Sequence, residues 1–363
     1  MDSLLETRAD ERAAFLTAQN WEDADLVPLG QDASTRRYFR LVRPNETALL
    51  MDAPRIEEDP CPPEADEETR QAMGWNATGR LAASRVDAFV ALARYLTEDG
   101  LSAPVVHASD AEQGFAIIED FGSSREFARL IERNEAPEVP LYAEAAKVLA
   151  HVHRRPAPTR IHGWPILDYD RLALRVNADL FAEWLPQHDT RFVANDQMRR
   201  DWRTACDGLI DQALELPRTL ILRDYHAENL LWLPERSGLA RVGLLDFQDA
   251  INGWDGWELA MLVQDARRDV SEAAHEAVIR TYLNETGKTE DALLESLAIC
   301  GTINALRITG LFARLQERDR KPRYGDFMPR QQFLLAENLK HPALADMKRF
   351  VEAYASFLFE VQP

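Results

Sequence analysis

Apolar residues recur along this chain with two different periods, and the change falls about a third of the way in. Over residues 3–20, Leu4, Leu5, Ala13, Phe15 and Leu16 make an imperfect helical stripe. Short apolar runs then alternate with turn residues. Residues 26–42 read as strand, small-residue turn and strand, and 47–52 as a third strand after the turn at 43–46. Residues 57–68 are rich in acids and proline and predict a surface loop. The three-to-four spacing over 82–96 predicts a helix stopped by Gly100. Two strands, 105–108 and 115–119, flank a turn at 110–114.

Beyond Asp120-Phe121-Gly122 the helical period dominates. It covers 141–152, 172–184, 196–214, 271–285, 290–316 and 330–338, with a further helix starting near Trp257. Only short strands interrupt it, at 219–223, 230–233 and 242–245. No internal repeat of solenoid length is present. The pattern predicts an α+β chain of two lobes with a cleft between them. Residues 1–120 form the strand-rich lobe, 123–363 the mainly helical lobe, and about 119–122 the hinge.

Composition narrows the partners. The 363 residues carry a formal charge of -19, which lacks the basic footprint that nucleic acid requires. A local arginine cluster would still hold a small anion. No positively charged segment leads into an apolar one at the start, and no stretch approaches eighteen apolar residues. The expectation is a cytoplasmic protein with no membrane contact. Cys61, Cys206 and Cys300 are few and far apart, as free thiols in a reducing compartment are. His151 and His153 lack a third ligand at zinc spacing and read as helix-end residues.

The chemistry concentrates at 222–248. Asp224 follows one apolar strand, Asn229 lies five residues on at the start of another, and Asp246 follows a third. Two strands around the turn containing Pro234 and Gly238 would bring Asn229 and Asp246 to the same cleft. Phosphoryl transfer needs such a set. A carboxylate accepts or orients the proton of the attacking hydroxyl, and hard oxygen ligands hold Mg²⁺ against a triphosphate. Asp224 suits the first role; Asn229 and Asp246 suit the second.

Leu222-Arg223-Asp224-Tyr225-His226-Ala227-Glu228-Asn229 and Leu245-Asp246-Phe247 resemble the H-G-D-x-x-x-x-N loop and I-D-F segment of the aminoglycoside phosphotransferase family of small-molecule kinases. Leu222 stands in place of its histidine and Arg223 in place of its glycine. The resemblance spans most of the chain and implies a bilobal protein-kinase-like fold using ATP and Mg²⁺. It implies a hinge at 116–122, with backbone groups around Glu119 and Phe121 meeting the adenine edge. Trp254-Asp255-Gly256-Trp257-Glu258-Leu259-Ala260 is similar to the family's D-L-A segment, with Glu258 bracing the catalytic loop. The basic residue expected in the third strand is replaced by Met51. Arg36, Arg37 and Arg40 are the alternative phosphate donors, with Gly30 to Ser34 supplying a backbone turn over the phosphates.

Within that family, 222–234, 243–250 and 262–270 resemble the anomeric sugar kinases that phosphorylate N-acetylmuramate and N-acetylglucosamine at C1. The resemblance implies an α-1-phosphate product, which a nucleotidyltransferase would convert to a UDP-sugar in cell-wall recycling. A muramate substrate calls for a basic partner, for which Arg223, Arg267, Arg268, Arg307 and Arg314 are candidates. Trp254 and Trp257 are candidates to stack on the sugar, and His226 faces either substrate or a backbone brace. The chain's acidity alone fits a cationic aminoglycoside or choline-type substrate. Met51 alone fits a kinase-like binding protein with weak turnover.

Overall fold

The computed structural model describes residues 2–29, 36–55, 60–76 and 85–361. Gly30 and Ser34, expected in the phosphate turn, lie outside the described residues, as do 56–59 of the acidic stretch and the first turn expected for the 82–96 helix. Helix α1 (Asp2–Ala18) precedes the strands β1 (Asp25–Pro28), β2 (Arg37–Arg43) and β3 (Glu46–Asp52). With β4 (Val106–Asp110) and β5 (Phe115–Glu119) these form one antiparallel sheet in the order β1-β2-β3-β5-β4.

Period-two alternation sorts the sheet's side chains between two faces. Leu50, Phe115 and Ile117 pack with Phe15, Leu16 and Trp21 on the α1 side. Met51, Ala116 and Ile118 pack with Ala88, Phe89 and Leu92 of α3 (Val86–Glu98). Asp52, at the end of β3, is buried and receives Arg8 Nε at 2.8 Å and Arg12 Nη1 at 3.3 Å. Those two arginines fasten α1 to the sheet.

The expectation of a surface loop over 57–68 needs correction for its described part. Helix α2 (Glu67–Ala72) starts there, capped by Asp66, whose Oδ1 accepts the Thr69 N–H at 2.8 Å. Cys61, Ala65 and Trp75 pack into the core of the helical lobe, and buried Arg70 pairs with Asp170. The acids and prolines hid a small apolar face, so this stretch leans on the lobe that follows it in sequence.

Past the hinge come α4 (Phe127–Glu132), α5 (Glu138–Val152), the pair β6 (Arg160–Ile161) and β7 (Trp164–Pro165), α6 (Arg171–His188) and α7 (Asp196–Glu215). Strands β8 (Arg218–Ile221), β9 (Leu230–Trp232), β10 (Val242–Leu244) and β11 (Ile251–Trp254) follow. They pair as β9 with β10 and β8 with β11. Helices α8 (Asp255–Val263), α9 (Glu272–Thr286), α10 (Glu290–Glu317), α11 (Met328–Asn338) and α12 (Ala345–Tyr354) complete the lobe. The sequence pattern missed α2, α4, β6, β7, β11 and α12, all of them short.

No stretch of eighteen consecutive apolar residues occurs in α10, but its average composition is apolar enough for a membrane span. Its 28 residues include a window of mean hydropathy 1.4. That window is 89% buried in the protein, where it packs against α6, α8 and α11. It is the central core helix of this lobe. Gly310 is the point of closest approach, since a Cβ there would lie 2.2 Å from the Leu180 carbonyl carbon of α6.

The two lobes share packing. The Phe89 ring of α3 stacks on Phe247 at 5.1 Å between centroids, so the strand-rich lobe rests on the segment that carries Asp246. Arg40 of β2 donates to both oxygens of Asp120 in the hinge, at 2.6 and 3.1 Å.

Helix propensity alone would make Gly310→Ala stabilising by up to about 1 kcal/mol. The backbone of α6 reverses that sign, and the variant is expected to lose roughly 1–3 kcal/mol in urea unfolding. A variant as stable as the parent would contradict the packing described.

Candidate active site

Strand β8 delivers the chain to a turn fixed by hydrogen bonds on both sides. The Leu222 N–H donates to Glu258 Oε2 at 2.8 Å, and the Arg223 N–H adds to the same carboxyl. Arg223 itself has φ +77°, the left-handed region that favours glycine. A non-glycine residue there costs of order 1 kcal/mol. Its side chain accounts for its presence: the guanidinium lies in the field of Asp249, Asp224 and Asp246, which keep it charged against the opposing effect of burial.

Asp224 leaves this turn on the wall of a cavity. Its carbonyl accepts Asn229 Nδ2 at 2.9 Å, which closes the loop 224–229 on itself. The β9–β10 pairing aligns Leu230 with Leu244, and the Leu245 N–H donates to the Asn229 carbonyl at 3.0 Å. Asp246, next along, turns into the cleft with φ +56°. The expected hairpin therefore forms, and Asn229 and Asp246 lie on one wall.

Around Asp246 the charges are ordered. Burial opposes its ionisation, but Arg36 and Gln248 outweigh it and hold the carboxyl below its usual range. Arg36 Nη2 and Gln248 Nε2 each donate to Oδ1 at 2.8 Å. Asp249 behaves oppositely: burial raises it, Arg223 opposes, and Asp224 and Asp246 add to the rise. Asn229 spends its amide nitrogen on Asp224 and, at 3.3 Å, on His226 Nε2. An amide oxygen and an ionised carboxylate remain as the donor set. Such hard oxygens fit Mg²⁺.

The arginines proposed for phosphate separate. Only Arg36 reaches across to Asp246. Arg40 is held at the hinge by Asp120 and Ser123, so it is not a free phosphate donor. Arg37 is exposed at the start of β2, in register with Asp52. Met51 is buried against α3, with the Tyr38 hydroxyl 3.5 Å from its sulfur. The basic residue expected in this strand is replaced by a core residue.

At the hinge the Glu119 N–H is taken by the Val105 carbonyl at 2.8 Å, and its side chain pairs with Arg236. That N–H is not open to an adenine edge. Phe121 packs with Leu231 and Leu233 below the hinge.

Trp254 needs the plainest correction. It is fully buried in the core, stacked on Tyr169, and is absent from the walls of the two cavities beside the 224–229 loop. An aromatic ending an apolar strand reads the same in sequence whether it faces core or cleft. Trp257 is also buried, but Arg307 lies over its ring at 5.6 Å. His226 is buried beside Asn229, its Nδ1 without a hydrogen-bond partner. His151 and His153 have separate partners, Asp99 and Tyr282.

Two cavities flank the loop. One of about 130 Å³ is walled by Asp224, Gln264, Arg267, Asn304 and Arg307. The other, about 460 Å³, is walled by Asn229, Asp246, His226, Arg129 and Arg267. Arg267 belongs to both, half-exposed and 3.6 Å from Glu228. Sequence reasoning missed α4, with Arg129, and gave no role to Gln264 or Asn304. Asn304 left a signal, because a polar residue inside the apolar run of α10 needs a partner when buried.

Behind the loop, Glu258 and His153 are fully buried, 4.0 Å apart. Burial pushes Glu258 up to about 8 and His153 down to about 4, so they are a neutral acid and a neutral imidazole. Tyr282 links His153 to Asp255, which Ser296 and Lys288 also hold.

A strand-rich lobe hinged to a helical one, with an acid, an amide and a second acid on the cleft wall, defines a phosphotransferase. The sequence profile described as "Phosphotransferase enzyme family" matches residues 25–294, and the chain belongs to that family. The chain is 44% identical over 359 residues to the N-acetylmuramate/N-acetylglucosamine kinase of Caulobacter vibrioides, covering 97% of this chain and 98% of that one. It is 28% identical to the protein of that name from Pseudomonas putida, covering 90% and 87%. In fold it is similar to a choline/ethanolamine kinase family protein of Mesorhizobium loti, with TM-score 0.59, 15% identity, and 95% and 99% of the two chains covered. It is also similar to the ADP-bound aminoglycoside phosphotransferase APH(2'')-Ib, with TM-score 0.55, 14% identity, and 88% and 98% covered.

Because the folded Glu258 binds its proton up to about pH 8 while the unfolded one releases it near 4.5, its contribution to stability is full below 4.5 and lost as pH rises through 8. The His153 effect has the opposite sign, lost as pH falls from 6.5 through about 4. The stability advantage of the parent over Glu258→Gln is expected to shrink by about 3–4 kcal/mol between pH 5 and 8 in guanidinium unfolding. A pH-independent difference would contradict a neutral Glu258.

Proposed function

We propose that this phosphotransferase moves the γ-phosphoryl group of ATP to the anomeric hydroxyl of N-acetylmuramate and N-acetylglucosamine, giving the α-1-phosphate. The observation that carries the reaction class is Asp224 on the wall of one cavity, with Asn229 and Asp246 on the wall of its neighbour. The near-complete alignment with the Caulobacter kinase supports the choice of acceptor.

In this reading the sugar hydroxyl attacks the γ-phosphorus, its proton passes to Asp224, and ADP departs. Asn229 and Asp246 would hold Mg²⁺, which when bound supplies neutralising charge to the triphosphate. Arg36 stands close enough to Asp246 to serve the phosphates in place of a basic residue at position 51. Arg223 steadies the acids around Asp224. The product is the form that a nucleotidyltransferase accepts on the way to a UDP-sugar, which fits a cytoplasmic role in reclaiming cell-wall sugars.

Incubation of the purified protein with MgATP and each sugar, followed by phosphorus NMR, is expected to show phosphate on C1. Phosphate on C6 would remove the anomeric assignment. Turnover only of aminoglycosides or choline in a parallel panel would replace the acceptor altogether. Asp224→Asn is expected to keep nucleotide binding, read by calorimetry, while kcat falls by about 10²–10⁴. Near-normal turnover would remove Asp224 from its role.

A further inference from the structure

The cavity beside Asp224 contains a cation that makes no direct ion pair among the described residues, although the carboxylates of Asp224 and Asp265 line the same space. Arg307, on α10, is largely but not wholly buried and lies over the Trp257 ring. Its Nε and Nη2 donate to Asn304 Oδ1 at 3.2 and 2.8 Å. Asn304 is fixed in turn, with its Nδ2 3.3 Å from Met261 Sδ, so its oxygen holds the guanidinium toward the cavity. Among the described residues Arg307 forms no ion pair.

The other arginines proposed for substrate differ. Arg267 is half-exposed and near Glu228. Arg223 lies among Asp249 and Asp224. Arg314 has Arg318, Asp319 and Glu183 around it, and neither it nor Arg268 walls this cavity. For Arg307, burial weakens the charged form, Tyr169 and Asp224 favour it, and Arg223 and Arg267 oppose it. A charge kept in such a place is expensive unless an anion arrives.

The cavity's shape limits that anion. At about 130 Å³ it is smaller than the roughly 300–1,000 Å³ of an ordinary small-molecule site, so it takes part of a ligand rather than the whole. Asp224 opens onto the same space. The anion must therefore be a short acidic branch on a molecule whose reacting hydroxyl lies at Asp224.

We propose that Arg307 binds the lactyl carboxylate of N-acetylmuramate and so sets the preference between the two sugars. This rests on the sugar-kinase reading above. N-Acetylglucosamine differs from N-acetylmuramate by lacking the lactyl ether on C3, which makes the pair an internal comparison. With the C1 hydroxyl at Asp224, the acid on C3 stays within one sugar's width, and Arg307 walls the same cavity as Asp224. Asn304 aims the guanidinium, and Gln264 and Arg267 border the same space.

The test measures kcat/KM for both sugars with the parent protein and with Arg307→Gln. The ratio of N-acetylmuramate to N-acetylglucosamine is expected to fall about 10- to 100-fold, as loss of a charge-assisted hydrogen bond in a buried site implies. An equal fall for both sugars, or no change in either, would overturn the assignment. A second measurement avoids any folding defect in the variant. The parent protein is given N-acetylmuramate whose lactyl acid is converted to its neutral methylamide. A loss of similar size supports the carboxylate contact, and equal turnover of acid and amide overturns it. If the parent phosphorylates N-acetylglucosamine at C1 but the ratio does not move, the subsite fails and the kinase reading stands. If it phosphorylates neither sugar, both fail.

Discussion

The buried carboxyl of Glu258 is where the active-site loop is anchored, and the rest of the site follows from it by consecutive hydrogen bonds. It takes the Leu222 N–H at the end of β8, which sets the direction in which the chain leaves the strand. Arg223 then turns through a left-handed conformation and Asp224 emerges at the cavity. The Asp224 carbonyl takes the Asn229 amide, the Asn229 carbonyl takes the Leu245 N–H, and Asp246 follows. Three side chains are thus positioned by a run of hydrogen bonds, each with a backbone group at one end. Side-chain rotamers alone would hold them far less rigidly.

Electrostatics then assigns the groups different states. Glu258 stays protonated because the Leu222 and Arg223 N–H groups and the Arg223 charge repay only part of the loss of water, whereas Asp246 stays ionised because Arg36 and Gln248 outweigh it. Arg36 also ties the strand-rich lobe to the helical one across the cleft. Its contact with Asp246 is the one that an incoming metal and triphosphate would rearrange. The Phe89–Phe247 stack is among the further contacts between the lobes, so Asp246 is reached from the strand-rich lobe through both packing and charge.

Much of this was legible in the sequence because its signals are local. The D-x-x-x-x-N spacing, the apolar run before each acid and the turn between β9 and β10 are all read within thirty residues. The long helices followed from period alone, whereas the sheet order β1-β2-β3-β5-β4 came from the structure. What was hidden depends on distant partners. Trp254 and Trp257 look alike as text, yet one is sealed in the core and the other lies beneath Arg307. Arg36, Arg37 and Arg40 look like one cluster, but the β2 twist and the hinge send them to three different places. Residues 57–68 read as a surface loop because acids and prolines outnumber the few apolar residues, such as Cys61 and Ala65, that pack into the core. Glu258 was recognised as a brace by resemblance, while its protonation came only from its burial.

In the proposed function Asn229 and Asp246 act as a hard-oxygen pair for Mg²⁺, with Arg36 paired to Asp246 until nucleotide arrives. A crystal structure of the protein with MgADP tests this most directly. The expected structure has Mg²⁺ held by the Asn229 amide oxygen and the Asp246 carboxylate, with the Arg36 guanidinium moved from Asp246 to the phosphate oxygens. Nucleotide bound with its metal on other residues, and Arg36 still paired with Asp246, would contradict it.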